Sequence, residues 1–386
     1  MSFWDPPKPP ATALGRYRQL SPTAGVHLSP LQLGAMSIGD KWHQFAFGSM
    51  DKESSFKLLD AYYDKGGNFI DTANNYQDGS SEEFIGEWSE KRGIREQLFI
   101  ATKYTGAYKR GDDSVSQKVL FAGNSVKSLQ NSVHASLKKL RTTYIDLLYL
   151  HWWDYETSIE EVMRGLHHLV VQGKVLYLGI SDTPAWVVAR ANQYARDHAL
   201  TPFVIYQGQW SILDRSFERE IIPMARSEGL ALAPWGVLGG GKLRSDAEEE
   251  ERGRTGENGR AMFSPDWKRN EKERLVSNAL DKVAKELGAK SLTSVAIAYV
   301  LHKTPYVFPI IGGRKVEQLD QNIEGLELSL SNEQIQFLEN VFPFDLGFPG
   351  NMIGTGVALP RMLNAVATID KQPILAPIGP VIVTQK

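Results

Sequence analysis

The chain contains no cysteine among its 386 residues. This absence excludes disulfide bridges, thiolate nucleophiles, and zinc or iron–sulfur sites with cysteine ligands. A chain without cysteine fits a reducing compartment, and we therefore expect a cytoplasmic protein.

Strong charge and long apolar runs are scarce as well. The formal net charge is only −2, which gives no basic surface for nucleic acid. No uninterrupted apolar stretch reaches the roughly 18–20 residues that a membrane helix needs, and no secretory signal is visible at the start. The histidines outside the strand ends lack the spacing of metal ligands. We expect no nucleic-acid partner, no membrane contact and no metal site, and the sequence leaves the oligomeric state open.

From Leu31 onward the sequence alternates regularly between two patterns. Short apolar segments rich in β-branched or aromatic residues are typical of buried strands: Leu31–Met36, Asn68–Asp71, Leu98–Lys103, Ile145–His151, Val175–Ile180, Phe203–Gln207, Leu230–Pro234 and Val307–Ile311. Segments with helical spacing lie between them: Lys52–Lys65, Ser81–Arg92, Val126–Leu140, Ile159–Val171, Trp186–His198, Glu218–Glu228, Glu271–Leu287, Leu292–Lys303 and Val316–Leu326. This alternation predicts an α/β fold, either a (β/α)₈ TIM barrel or a doubly wound sheet. We expect one domain over residues 1–386, with its core at about 28–342.

Three segments depart from the alternation. Tyr17–Leu20 and Val26–Leu31 flank a turn and predict an N-terminal β-hairpin. Arg244–Lys272 is polar and charged, and a loop of this length is typical of a functional lid or of disorder. The tail after Phe342 is rich in glycine and proline, and we expect it to pass over the active-site face of a barrel.

Four polar side chains lie at or just beyond the ends of three consecutive predicted strands. They are Asp71, Tyr76, Lys103 and His151. Singly, each has an ordinary structural interpretation, such as a helix cap or a solvated tip, but side chains at this rim of a barrel converge on the active site. The Lys103 ammonium would lower the pKa of Tyr76, and Asp71 would hold that ammonium in place. Such a tyrosine can give a proton to an oxyanion that His151 orients.

These residues resemble the aldo-keto reductase superfamily. The motif Asp71-Thr-Ala-Asn-Asn-Tyr76, the strand that ends at Lys103 and the strand that ends at Leu-Tyr-Leu-His151 carry the similarity, which runs from about Gly34 to Leu330. Within the superfamily the chain is most similar to fungal aryl-alcohol dehydrogenases and norsolorinic acid reductases. The segments that carry this closer similarity are Gln32–Trp42, Val175–Val187 and Gly312–Glu317. The resemblance implies a TIM barrel and NADP(H)-dependent interconversion of aromatic carbonyl compounds and alcohols.

The resemblance also implies the residues that bind NADP(H). Implied contacts around the nicotinamide and the barrel mouth are Ser37, Asp71, Ser181, Asp182, Gln207 and Trp235. The implied pyrophosphate contacts are Gly236, Leu238, Gly240 and Lys242, and those of the adenosine end are Gly312, Gly313, Arg314, Gln318, Gln321 and Asn322. Two of these positions depart from the family, which more often has asparagine at 182 and glutamate at 321.

The glycine-rich segment has a competing interpretation as a P-loop. Gly236-Val-Leu-Gly-Gly-Gly-Lys242 has the P-loop spacing, but Leu243 replaces the Ser or Thr that would bind Mg²⁺. We therefore reject a nucleotidase.

The predicted substrate contacts are His151, Trp42 and Trp152. Aromatic side chains on several rim segments favour flat rings, which fits a benzaldehyde and its alcohol. A polyketide ring ketone fits equally well. A cofactor-sensing module with little turnover, like the potassium-channel β subunits of the same superfamily, is the alternative from another class of function.

Overall fold

The fold was analysed in a computed structural model, which describes residues 4–43, 45, 48–255 and 266–380. The strands among these residues are β1 (Arg18–Ser21), β2 (Ala24–Leu28), β3 (Gln32–Gly34), β4 (Phe69–Asp71), β5 (Phe99–Tyr104), β6 (Ile145–Leu150), β7 (Val175–Ser181), β8 (Ile205–Gln209), β9 (Ala231–Trp235) and β10 (Ile310–Ile311). The helices are α1 (Lys52–Asp64), α2 (Ser80–Arg92), α3 (Val126–Lys139), α4 (Ile159–Val171), α5 (Ala185–Asp197), α6 (Ile221–Glu228), α7 (Asp246–Thr255), α8 (Glu271–Leu287), α9 (Leu292–Lys303), α10 (Val316–Glu324), α11 (Asn332–Val341), α12 (Gly350–Ile353) and α13 (Arg361–Asn364).

Strands β3 to β10 form one parallel sheet of eight strands in the order β10-β3-β4-β5-β6-β7-β8-β9. A parallel bridge between Leu232 and Val307 joins the two ends of this order. The predicted TIM barrel is therefore confirmed, and its carboxyl-terminal strand ends face one common mouth.

The predicted hairpin is also confirmed, and it closes the opposite end of the barrel. Leu20 and Leu28 from β1 and β2 are buried against Phe69 and Phe99 from the barrel interior. The Thr23 hydroxyl donates a hydrogen bond to the Gly229 carbonyl, at 3.3 Å, just before β9 begins. Any ligand of the barrel interior must therefore approach from the mouth.

The helix boundaries follow from capping side chains. The Ser158 hydroxyl accepts a hydrogen bond from the Glu161 amide (3.1 Å) at the start of α4. Asn270 and Glu273 form a reciprocal capping box at the start of α8. Such caps satisfy the free amides of a first helical turn. Helices α4, α8 and α9 accordingly begin and end at the predicted residues.

Other predicted boundaries differ because of local contacts. Helix α6 begins at Ile221 and not at Glu218, because Ser216–Glu218 forms a separate 3₁₀ turn. In that turn the Glu218 carboxylate accepts hydrogen bonds from Arg215. Strand β10 was predicted to begin at Val307 but has only two residues, because Val307 forms an isolated bridge outside the strand.

The segment that was predicted to be a lid or disordered contains helix α7. Glu249 of this helix accepts hydrogen bonds from Arg244 (2.9 Å) and Arg269 (3.0 Å), and all three residues are buried. This charge cluster joins the two sides of the segment, whose residues 256–265 lie outside the described part of the chain. No helix in the described residues is long and apolar enough to span a bilayer.

The C-terminal tail is bonded to residues at both ends of α6. Arg219, just before α6, donates to the Leu346 carbonyl at 3.0 Å, and Arg226 near the end of α6 donates to the Thr355 carbonyl at 3.3 Å. These contacts place this part of the tail along α6, on the outside of the barrel. The passage of the tail over the active-site face stays a prediction, because these contacts concern Leu346 and Thr355 alone.

Candidate active site

The four predicted catalytic residues converge at the mouth because their strands are neighbours in register. Asp71 ends β4, Lys103 lies in β5 and His151 follows β6 directly. Asp71 pairs with Ala101 in the sheet, which puts it two residues from Lys103 on the next strand. Tyr76 comes five residues after Asp71 and begins a 3₁₀ turn at the same rim.

The Lys103 ammonium lies at the centre of this group. It donates hydrogen bonds to Asp71 Oδ1 at 2.6 Å, to the Thr72 carbonyl at 2.7 Å and to the Tyr76 hydroxyl at 3.4 Å. The exposed fraction is 0% for the Lys103 side chain and 3% for that of Asp71. A buried ammonium requires such partners, since an unpaired one would be costly.

Burial and the neighbouring charges decide the protonation states. Burial raises the pKa of Tyr76 above its usual value, although the positive charge of Lys103 acts in the opposite direction. The predicted lowering effect of Lys103 is present, but desolvation of the phenolate outweighs it, so the net shift of this pKa is upward. Burial alone would lower the pKa of Lys103, but the negative charge of Asp71 and the hydrogen bonds to Asp71 and Tyr76 raise it. At neutral pH the site holds a protonated tyrosine and a fixed cation.

His151 completes the site as a neutral group. Burial, assisted by the charge of Lys103, lowers its pKa to about 3. The His151 ring lies 5.9 Å from the Tyr76 ring, centroid to centroid, in an edge-on arrangement. Its Nδ1 atom is buried and has no hydrogen-bond partner among the described residues. A neutral imidazole beside a tyrosine hydroxyl can orient a substrate oxygen.

Gln207 has a contact that sequence reasoning missed. Its side-chain amide donates a hydrogen bond to Asp71 Oδ2 at 2.8 Å, and the glutamine is buried. Gln207 therefore occupies the carboxylate oxygen that Lys103 leaves free. Residue spacing could not have found this pair, because the two residues are 136 positions apart.

Two of the residues predicted at the nicotinamide end are linked to each other. The Trp235 indole N–H donates to Asp182 Oδ1 at 3.1 Å. Asp182 has a left-handed φ of 41°, a conformation that aspartate tolerates better than most residues. Partial desolvation raises the pKa of Asp182 to about 6, although the Trp235 bond acts to lower it. Ser181 and Ser37 are buried.

The glycine-rich segment after β9 turns back on itself in left-handed backbone conformations. The φ angles are 72° at Gly236 and 64° at Gly240, and a side chain at Gly240 would meet open space. Leu238 begins the short 3₁₀ turn that contains Gly240. The Lys242 ammonium donates to the carbonyls of Asp266 (2.8 Å) and Lys268 (2.5 Å). Lys242, predicted to bind pyrophosphate, thus joins the two sides of the long loop in this structure.

The predicted adenosine end surrounds the start of α10. Gln318 Oε1 accepts hydrogen bonds from the amides of Arg314 (2.9 Å) and Lys315 (3.3 Å), so this side chain caps the helix. Arg314 and Gln321 are exposed. A small cleft beside them is lined by Leu33, Leu58, Ile311, Gly312, Gly313, Lys315, Leu319 and Asn322.

The predicted substrate contacts differ in exposure. The exposed fraction is 7% for Trp42 and 41% for Trp152. The Trp42 ring lies edge-on to the Tyr76 ring, 6.3 Å away, centroid to centroid. In the tail, Phe344 packs against the guanidinium groups of Arg215 and Arg219.

The described residues contain no group of three or more metal-binding side chains that could hold an ion. A buried lysine shared by an aspartate and a tyrosine at a barrel mouth, with a neutral histidine beside them, agrees with the resemblance drawn from the sequence.

The chain belongs to the aldo/keto reductase family, whose model matches residues 30–342. It is 60% identical to an aryl-alcohol dehydrogenase [NADP(+)] of Phanerodontia chrysosporium, over 98% of this chain and 100% of the relative. It is 54% identical to a putative aryl-alcohol dehydrogenase of Saccharomyces cerevisiae, over 94% and 96% of the two chains. It is 53% identical to norsolorinic acid reductase A of Aspergillus parasiticus, over 90% and 86%. The predicted family is thereby confirmed.

Proposed function

We propose that this protein is an NADP(H)-dependent oxidoreductase that interconverts aromatic aldehydes or ketones and the corresponding alcohols. The observation that carries the proposal is the Lys103 ammonium between Asp71 Oδ1 and the Tyr76 hydroxyl, at 2.6 and 3.4 Å. This arrangement suits proton transfer to a carbonyl oxygen. The name of the relative from P. chrysosporium supports both the cofactor and the aryl substrate.

The residues at the mouth fit nicotinamide adenine dinucleotide phosphate, NADP(H). The buried Nδ1 atom of His151 without a partner indicates that the mouth is built for a polar ligand. The Trp235 ring, held by Asp182, offers a flat face for an aromatic ring. At the other end, the exposed Arg314 guanidinium suits a 2′-phosphate because it forms charge-assisted hydrogen bonds. The open space at Gly240 lets a backbone approach closely to the pyrophosphate.

We propose the following roles in catalysis. When bound at these residues, NADPH would supply the hydride for the carbonyl carbon, and NADP⁺ would accept it from the carbon that bears the alcohol. Tyr76, which is protonated at neutral pH, donates its proton to the carbonyl oxygen. Lys103 stabilises the phenolate that forms, and Asp71 keeps the ammonium in place. His151, neutral because its pKa is about 3, orients the same oxygen. Alcohol oxidation uses the same groups in reverse.

The substrate pocket that we propose includes Trp42 and Trp152 beside His151. The Trp42 ring already packs edge-on against Tyr76, so a flat aryl group can lie along it. A reductase for polyketide ring ketones is the second candidate, favoured by the similarity to norsolorinic acid reductase A. We further propose that the chain works as a single barrel domain in the cytoplasm, where NADPH is plentiful, and the match over residues 30–342 supports the single domain.

The test is NADPH consumption, followed by absorbance, with substituted benzaldehydes, an aliphatic aldehyde and an aromatic polyketide ketone. Fast turnover of benzaldehydes supports the first candidate, and selective turnover of the polyketide ketone supports the second. Tight NADPH binding without turnover of any carbonyl compound contradicts both and favours a cofactor-sensing role.

Tyr76→Phe tests the mechanism within the same assay. This variant should lose about 10²–10⁴-fold in rate, the usual contribution of general acid catalysis. Its affinity for NADPH, measured by fluorescence titration, should stay close to that of the wild type because the missing hydroxyl serves the carbonyl oxygen. Wild-type turnover in Tyr76→Phe would refute the role of the tyrosine.

A further inference from the structure

We infer that Gln77 is a positioning residue that holds the Trp42 wall of the substrate pocket against the proton donor Tyr76. The inference rests on the proposed function, because Trp42 and Tyr76 are taken there as substrate contact and acid. The residue that follows Tyr76 directly in the chain is hydrogen-bonded three times to the loop that carries Trp42.

The Gln77 side chain bonds to three points of the first βα loop. Its Oε1 atom accepts from the Trp42 amide at 2.9 Å. Its Nε2 atom donates to the carbonyls of Met36 at 2.9 Å and Gly48 at 2.8 Å. The side chain is fully buried, so water cannot replace these bonds. One amide group therefore ties both ends of the loop and the residue that forms the pocket wall.

The loop is shaped to receive this side chain. Gly39 and Met50 pair across the loop in an antiparallel bridge. The Met50 amide donates a hydrogen bond to the Gly39 carbonyl at 2.8 Å. Gly39 has a φ of 120°, and an added Cβ there would lie 2.6 Å from the Cβ of Gln77. Only glycine allows so close an approach. Ser80, at the start of α2, makes a further contact with the loop, since its Oγ atom accepts a hydrogen bond from the Asp40 amide at 3.2 Å.

The backbone at Gln77 supports a role beyond filling space. Its φ and ψ are 53° and 38°, in the left-handed region that non-glycine residues seldom adopt. Strained backbone of this kind persists where surrounding contacts over-determine it, often near functional sites. Here the strain accompanies a turn that lets Tyr76 face the mouth while Gln77 reaches into the loop.

The consequence concerns substrate choice. Because the Trp42 ring packs edge-on against the Tyr76 ring, 6.3 Å between centroids, a substrate whose carbonyl oxygen reaches the Tyr76 hydroxyl has its flat group beside the Trp42 ring. Loss of the Gln77 bonds frees the Trp42 wall and leaves Tyr76, Lys103 and Asp71 paired. Aromatic carbonyl compounds then lose orientation, whereas small aliphatic ones, which do not need the wall, lose little.

The first experiment compares Gln77→Met with Asp78→Met. Methionine matches glutamine in length but makes none of the three hydrogen bonds. Asp78 is exposed and has nearly the same φ, 51°, so its variant controls for a bulky side chain in left-handed backbone. We expect Gln77→Met to lower kcat/KM about tenfold or more for a substituted benzaldehyde and no more than about twofold for propanal. Asp78→Met should leave the ratio of the two substrates unchanged. Equal losses for both aldehydes in Gln77→Met would overturn the inference.

A double-mutant cycle with Trp42→Ala identifies the path of the effect. If Gln77 acts through Trp42, then Trp42→Ala should show the same loss of preference for the benzaldehyde, and the double variant should lose little more. The inference would be overturned if the fold losses in preference for the benzaldehyde measured in the two single variants multiplied in the double variant.

Hydrogen exchange separates this inference from the proposed function. The Trp42 amide donates to Gln77 Oε1, so its exchange should become faster in Gln77→Met and stay slow in Asp78→Met. This readout needs no turnover, so it decides the role of Gln77 even if the wild-type protein reduces no carbonyl compound. A Trp42 amide that stays protected in Gln77→Met, or exchanges faster in both variants, would refute the positioning role.

Discussion

Lys103 and Lys242 are held in place in different ways. Lys103 lies within β5 and donates a hydrogen bond to Asp71, whose position on the neighbouring strand β4 is fixed by the register of the sheet. Lys242 lies in the long loop after β9 and is bonded to two backbone carbonyls further along the same loop, with the Glu273 carboxylate of α8 at 3.7 Å. The first lysine keeps its place as long as the barrel is folded, whereas the second keeps its place only while the loop follows this path.

The difference indicates how the site divides its tasks. Proton transfer requires fixed distances, and strand ends of a barrel supply them without rearrangement. Cofactor binding and release, which we propose for the loop, require a segment that can change partners, and hydrogen bonds from Lys242 to backbone carbonyls allow this. Substitutions at the strand ends should therefore affect chemistry and stability, and those in the loops should affect cofactor affinity.

Lys103→Met should have the largest effect. It leaves the Asp71 carboxylate buried without its cation, which costs about 3–5 kcal/mol of the free energy of unfolding. It also removes the charge that stabilises the phenolate, so the rate of carbonyl reduction should fall at least about 10²-fold. Urea unfolding and single-turnover kinetics measure the two effects. A variant with wild-type stability would break the comparison between the two lysines.

Arg314→Ala should come next and should act on affinity alone. A hydrogen bond to a charged group contributes about 1.5–3 kcal/mol, so the Kd for NADPH should rise about 10–100-fold. The Kd for NADH, which lacks the 2′-phosphate, should change little. The matched control is Arg190→Ala, an exposed arginine on α5. Equal weakening of both cofactors in Arg314→Ala would mean that Arg314 does not contact the phosphate.

Lys242→Met should have a smaller effect than either. We expect NADPH to dissociate about 3–10-fold faster, because the glycine-rich segment loses its hydrogen bonds to the carbonyls of Asp266 and Lys268. The free energy of unfolding should change by no more than about 1 kcal/mol. Stopped-flow fluorescence measures the release, with the exposed Lys268→Met as control. A loss of stability as large as that in Lys103→Met would remove the distinction between strand and loop.

The pH dependence of Asp182 should give the smallest effect. Its pKa is about 6, so it gains a proton as the pH falls through this value and loses its negative charge, which we propose lies beside the nicotinamide. NADP⁺, whose oxidised ring is positively charged, should bind about 2–5-fold more weakly at about pH 5 than at about pH 7.5, relative to NADPH. Both forms carry the same phosphates, so their ratio isolates the ring. His151, with a pKa of about 3, adds no titration in this range.

Asp182→Asn provides the control for this effect. The asparagine oxygen can still accept from the Trp235 indole, but the position no longer titrates. We expect the ratio of NADP⁺ to NADPH affinity to become independent of pH in this variant. A ratio that still changes near pH 6 would assign the titration to another group.

The fold could be predicted well wherever local signals and burial agree. Helix α4 was predicted to the residue because Ser158 caps its start and its apolar face follows the helical period. The end of α6 was predicted correctly, but its start was not, because Glu218 serves the buried Arg215 and Trp210 contacts instead of a first helical turn. The tail has no period, and only three-dimensional contacts with Arg219 and Arg226 fix its path.

In the site, the residues near strand ends could be predicted from the sequence, but the direction of their pKa shifts could not. Asp71, Lys103 and His151 follow from the barrel rule, since each ends or follows a strand. The sign of the pKa shift of Tyr76 depends on how deeply the phenol is buried, which spacing does not reveal. The hydrogen bonds of Gln77 depend on a left-handed backbone conformation. The sequence does not reveal this conformation, because the residue is not a glycine.

The closed amino-terminal end of the barrel has a practical use in attaching the protein to a support. Residues 5–11 are exposed, and Thr12 is bonded to the Lys65 carbonyl just after α1, at the end of the barrel opposite the mouth. A tether fused to the first residues would therefore orient the mouth toward solution on a bead or an electrode.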